Sequence, residues 1–80
     1  MTQNESIIFK ASESYLERFG NPPPNNSPES EKWWEMAGNA LVELANKHYN
    51  HPLVLGLGVA IIEYIELKSK AKEQDNMHKM

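Results

Sequence analysis

The side chains best suited to metal chemistry are two histidines, His48 and His51, which lie three positions apart. A structural zinc site needs four ligands, and the sequence contains no cysteine that could supply thiolates. We therefore interpret His48 as a residue that stabilises a helix C-terminus and His51 as the cap of the following helix. The sequence predicts no metal site.

The segment Gly56–Ile61 partly matches a dinucleotide-binding fingerprint, but it lacks the final small residue and follows a helix cap where the fingerprint needs a strand. Glycine inside a helix is unfavourable by up to about 1 kcal/mol, so the two glycines indicate close packing with another backbone. No serine, histidine and acid occur at a spacing that predicts a triad, and no carboxylate pair lies in a predictable cleft. The sequence predicts no catalytic residue, no cofactor and no enzymatic activity.

Charge and hydropathy argue against nucleic-acid-binding, secreted and membrane proteins. The formal net charge is −3, and residues 1–50 hold seven Glu against four Lys or Arg, which disfavours nucleic-acid binding. The basic cluster of Lys68, Lys70 and Lys72 is explained as compensation of a helix dipole. The first ten residues lack the features of a signal peptide, and the longest apolar stretch is about half a membrane span. We expect a cytoplasmic protein without membrane contact.

Local signals divide the eighty residues into three helices of one domain, at about 5–19, 28–49 and 52–73. Residues 21–27 form a proline-rich connector, and residues 74–80 are expected to fray. Gly20 is predicted to end the first helix in a left-handed conformation, and Ser27 is predicted to cap the second. The fold class is all-α, a small three-helix domain built on a long antiparallel helical hairpin.

Helical periodicity predicts which faces form the core. The second helix places Trp33 and Trp34 on both flanks of its apolar stripe, as a core aromatic clasp in which at least one indole is well buried. The stripes themselves consist of Ala37, Leu41, Leu44 and His48 on the second helix and Leu53, Leu57, Ala60, Ile61, Tyr64 and Leu67 on the third.

Apolar residues remain outside these stripes. Leu55, Val59 and Ile62 follow one line along the third helix, and a helix that is apolar on several sides must be covered on several sides. The predicted surface for self-association or partner binding consists of Leu55, Gly56, Val59, Ile62, Val42 and Tyr49. The first helix packs either on its own hairpin or on a neighbouring subunit, and the sequence leaves both open.

These features predict a non-enzymatic protein-interaction module, a small acidic homo-dimer or higher oligomer with a basic or mixed-charge protein partner. Adaptors, regulators and inhibitors, including those of phages and mobile elements, share this size and charge, which is an analogy only. The alternative is an oligomer that binds a small molecule or nucleotide at its subunit seam. That pocket would be lined by Trp33, Trp34, His48, Tyr49 and His51.

Overall fold

The structure is a computed structural model that describes the backbone of residues 1–78 and the side chains of residues 1–73. It contains three α-helices: α1 (Gln3–Phe19), α2 (Ser30–Lys47) and α3 (Pro52–His78). α2 and α3 form an antiparallel hairpin, and α1 packs against both of them. The predicted all-α fold of three helices is therefore confirmed.

α1 begins two residues earlier than predicted because Thr2 and Glu5 form a capping box. The Glu5 backbone N–H donates to Thr2 Oγ1 over 3.1 Å, and the Thr2 backbone N–H donates to the Glu5 carboxylate over 2.6 Å. Hydrogen bonding to Thr2 lowers the pKa of the Glu5 carboxyl below its ordinary value. At the other end Gly20 is the C-cap residue in right-handed helical geometry, with φ −77°, so the predicted left-handed conformation is wrong.

The connector is packed against the rest of the domain. Pro22 is fully buried, and Ser69 of α3 donates a hydrogen bond of 2.8 Å to the Pro23 carbonyl oxygen. The Ser27 hydroxyl donates a hydrogen bond to the carbonyl oxygen of Pro24, three residues before it in the chain. Its predicted role as the cap of α2 is therefore wrong, and α2 begins at Ser30, two residues after the predicted start.

The turn between α2 and α3 places two non-glycine residues in the left-handed region, Tyr49 and Asn50, each at φ 55°. The Asn50 N–H donates to the Ala45 carbonyl and the Tyr49 N–H donates to the Asn46 carbonyl, which is the Schellman pattern of helix termination. Tyr49 occupies the position where this pattern usually has glycine. α2 consequently ends at Lys47, two residues before the predicted end.

α3 begins as the sequence predicts. The Leu53 backbone N–H donates to His51 Nδ1 over 3.1 Å, so His51 caps the helix that starts at Pro52. The helix continues beyond the predicted end at 73, because the backbone is helical as far as His78. The tail that was predicted to fray, 74–80, is thus helical over 74–78, and residues 79–80 lie outside the described residues.

The predicted core stripe of α3 is correct in part, since Ile61 is buried and Leu57 packs against the core cluster. Ala60, Tyr64 and Leu67 were assigned to the core, but all three are exposed. The residues of α3 that are buried are Val54, Gly58, Ile61, Ile65 and Ser69. Apolar residues are spread almost evenly around this helix, so its periodicity does not select one face. Packing against α1 and α2 makes that selection.

α1 lies on its own hairpin. Tyr15 and Phe19 of α1 pack with Ala37 of α2 and with Ile61 and Ile65 of α3 in one buried cluster. The buried face of α1 also includes Ile8 and Ser12, and the Ser12 hydroxyl donates to the Ile8 carbonyl. Within the single chain, α1 therefore packs on its own hairpin, which is one of the two arrangements that the sequence left open.

Candidate interaction surface

The hairpin has two faces, and α1 covers only one of them. On the other face a groove of about 520 Å³ runs between α2 and α3. Most of its lining is apolar, and Glu63 and Glu66 stand at the end that lies away from the hairpin turn. Its principal apolar residues are Leu41, Val42 and Ala45 of α2 and Leu55, Val59 and Ile62 of α3.

The walls of the groove are exposed to an unusual degree for aliphatic side chains. Val59 retains 61% of its accessible surface, Val42 retains 60% and Leu55 retains 48%. Single exposed apolar residues are common on protein surfaces, whereas several that line one concave surface indicate a binding face. The groove is therefore the strongest candidate site on the described part of the chain.

A glycine forms part of the groove floor. A Cβ atom built on Gly58 would lie 3.4 Å from a Leu41 side-chain carbon, which is an ordinary van der Waals contact. Gly58 is therefore buried against Leu41 of α2 at the point where the two helices meet. Close packing with another backbone was predicted for both glycines, but a Cβ built on Gly56 would meet nothing within 4 Å in the single chain.

Four of the six predicted interface residues lie together in the groove, namely Val42, Leu55, Val59 and Ile62. Gly56 is exposed but does not line it, and Tyr49 projects from the hairpin turn with 94% of its surface accessible. Sequence reasoning missed Gly58, Ala45 and the two glutamates as groove residues. The position of the glutamates could have been inferred, because Glu63 and Glu66 lie four positions after Val59 and Ile62, respectively, and residues three or four positions apart are neighbours on one helix face.

The two tryptophans pack at the edge of the core. The Trp33 ring meets Phe19 edge-on at 5.8 Å and Trp34 edge-on at 4.9 Å. Trp34 Nε1 donates to Asn25 Oδ1 over 3.3 Å, which connects α2 to the connector. Both indoles are partly buried. The expectation that one of them is well buried is not met.

The residues of the alternative ligand pocket do not come together within one chain. Trp34 and His48 are fourteen positions apart on α2, which corresponds to about 21 Å along the helix. His48, Tyr49 and His51 instead line a separate cavity of about 410 Å³ between the hairpin turn and the start of α1. Nε2 of His48 is buried there without a hydrogen-bond partner among the described residues.

No group of three histidine, cysteine or acidic side chains that could hold a metal ion occurs in the part of the chain that the structure describes. Lys68 and Lys72, interpreted from the sequence as compensating the dipole of α3, lie well before its last turn. Lys68 donates to the Gly20 carbonyl at the C-terminus of α1, and Lys72 donates to Asn21 and Pro22. The earlier interpretation is therefore wrong for these two lysines: Lys68 faces the C-terminus of α1, and Lys72 holds the connector.

None of the helices in the described range is both long and apolar enough to cross a membrane. No protein-family model matches the chain. Searches of curated proteins and of solved structures also found no match.

Proposed function

We propose that this chain is a non-enzymatic protein-interaction module, a small acidic helical homo-oligomer that acts as an adaptor, regulator or inhibitor. The observation that carries the proposal is the uncovered apolar groove between α2 and α3. The cytoplasmic location expected from the sequence belongs to the same proposal.

The free energy available from covering the groove supports this proposal. Complete burial of one Val, Leu or Ile side chain is worth roughly 1.5–3 kcal/mol. Val42, Leu55 and Val59 each retain about half of their surface or more, so a partner that covered them would gain several kcal/mol. A domain of this size has a net stability of only about 5–10 kcal/mol, so this gain is substantial. A second copy of the chain is the simplest partner because it brings the same apolar surface.

A partner protein other than a second copy of the chain would meet acidic side chains on α1 and α2. Glu13 and Glu17 of α1 and Glu31 and Glu35 of α2 are all exposed outside the groove. With the overall charge of −3, this surface favours a basic or mixed-charge protein over nucleic acid.

Light scattering tests the oligomer. The wild type should have the mass of a dimer or larger species at micromolar concentration. Val59→Glu should give a helical monomer, because it places a charge in the apolar contact without disturbing the core. Leu67→Glu is the matched control: Leu67 lies on the same helix, is 67% exposed and does not line the groove, so its variant should keep the wild-type mass. A wild type that is monomeric at high micromolar concentration would contradict the oligomer.

A small-molecule ligand is the second candidate, because the groove volume of about 520 Å³ falls within the range of ligand pockets, roughly 300–1,000 Å³. The glutamates at its end disfavour a nucleotide. A thermal-shift panel separates the two candidates, since a ligand raises the melting temperature in a concentration-dependent manner. A shift that Val59→Glu abolishes would favour the ligand.

A further inference from the structure

We infer that two copies of this chain pair antiparallel across the groove, related by a two-fold axis close to Val59, so that the acidic end of each groove faces the hairpin turn of the other copy. This inference rests on the proposed function and specifies the partner and its orientation.

The apolar character of the groove determines what can occupy it. Its walls present aliphatic side chains over about two and a half turns of α3, so an occupant must offer matching apolar side chains. The chain itself has such side chains in the wall of its own groove, namely Leu55, Val59 and Ile62. In a two-fold contact the same patch is used on both copies, so these side chains of each copy lie over the groove of the other.

Charge selects the direction of pairing. In a parallel pair, identical positions face each other, which would bring Glu63 and Glu66 of both copies together in an apolar contact. Carboxylates that face each other across a partly desolvated contact repel strongly. In an antiparallel pair centred on Val59, Glu66 of one copy lies at the level of Pro52 of the other. The stretch 44–54 around the hairpin turn contains no acidic residue, so the repulsion between like charges is removed.

The hairpin face is large enough for such a contact. α2 has 18 residues and is therefore about 27 Å long, and two adjacent helices are about 20 Å wide. Two copies centred on Val59 overlap over about 21 Å of this length, a flat footprint of about 420 Å², or about half of the ~800 Å² of accessible surface per partner that specific interfaces bury, so the contact is a small one. α1 lies on the opposite face and does not interfere.

Disulfide trapping tests the arrangement directly, because the sequence has no cysteine and each introduced thiol is unique. The full-length Val59→Cys variant should form a covalent dimer under mild oxidation, since a residue at the axis meets its own copy. Glu66→Cys should not, because the two positions would be about 21 Å apart while a disulfide needs Cα atoms within about 7 Å. A mixture of Leu55→Cys and Glu63→Cys chains should form the mixed dimer in preference to either self-dimer. Glu13→Cys, on the exposed side of α1, is the control for random collision.

The outcomes separate the inference from the proposed function. Rapid self-crosslinking of Glu66→Cys would show a parallel pair and overturn the arrangement while the oligomer stands. A dimer by light scattering in which neither Val59→Cys nor the mixed pair crosslinks faster than Glu13→Cys would also overturn the arrangement. A wild-type monomer by light scattering would overturn the proposed oligomer and this inference together.

Discussion

The hydroxyl of Tyr15 donates a 2.8 Å hydrogen bond to the carbonyl oxygen of Ala37, inside the cluster that joins α1 to the hairpin. The bond connects residues 22 positions apart, and both side chains are buried. It fixes α1 on one face of the hairpin and so leaves the other face uncovered.

We predict that Tyr15→Phe lowers the free energy of unfolding by about 1 kcal/mol, the typical net contribution of one buried hydrogen bond. The ring remains in the core, so only the bond to Ala37 is lost. Urea denaturation followed by circular dichroism measures the change. Tyr64→Phe is the control, since Tyr64 is 52% exposed and its variant should match the wild type. An unchanged Tyr15→Phe midpoint would contradict the role of this bond.

Stability should also depend on the ionisation of Tyr15. Burial raises the pKa of its phenol above the ordinary value of 10.0, so the folded state favours the neutral form. The contribution of Tyr15 is therefore complete below a pH of about 10 and is lost as the pH rises from there towards the folded-state pKa. Denaturation at a series of alkaline pH values should show a steeper loss for the wild type than for Tyr15→Phe. Parallel curves for the two proteins would argue against this linkage.

Lys68 and Lys70 of α3 should behave differently on removal. Lys68→Ala loses the bond to the Gly20 carbonyl and should destabilise the fold by about 1–2 kcal/mol, reduced from the full value of a charged bond by partial exposure. Lys70 is exposed, and Lys70→Ala should remain within about 0.5 kcal/mol of the wild type. Thermal denaturation measures the stability of both variants. Equal losses of stability would mean that both lysines act only on the helix dipole.

Replacement of Tyr49 by glycine should stabilise the protein. A non-glycine residue in the left-handed region costs roughly 1–2 kcal/mol, and the greater flexibility of glycine in the unfolded chain offsets part of that gain. We expect a net increase of about 0.5–1 kcal/mol for Tyr49→Gly in urea denaturation, and no change for Tyr49→Phe. A destabilised glycine variant would mean that the exposed Tyr49 ring makes contacts that outweigh its backbone strain.

Trp33→Ala should cost about 2–4 kcal/mol, because the indole is partly buried and packs edge-on against Phe19. Trp33→Phe should recover much of this loss, since it keeps an aromatic ring on the core edge. The midpoint of urea unfolding is the measurement. If the alanine variant unfolds with the wild-type midpoint, α2 does not face the core as the structure places it.

The existence and approximate limits of the helices follow from local chemistry, which is why the sequence alone predicts them. The capping residues, the proline-rich connector and the His51-Pro52 start of α3 act within a few residues of the chain. The apolar face of α1 was also predictable, because Lys10, Glu13 and Glu17 gather on the opposite side. The line of Leu55, Val59 and Ile62 was identified in the same way.

Tertiary structure decided which side of α3 is buried and where α1 lies. α3 has apolar residues almost all round, so several rotations satisfy its pattern, and only the packing of Ile61 and Ile65 against Tyr15 and Phe19 selects one. The bonds from Lys68 and Lys72 to the connector join groups about 50 positions apart, a separation that no local pattern encodes. Local propensities act over one or two helical turns, whereas the groove exists only where the faces of two helices pack against each other.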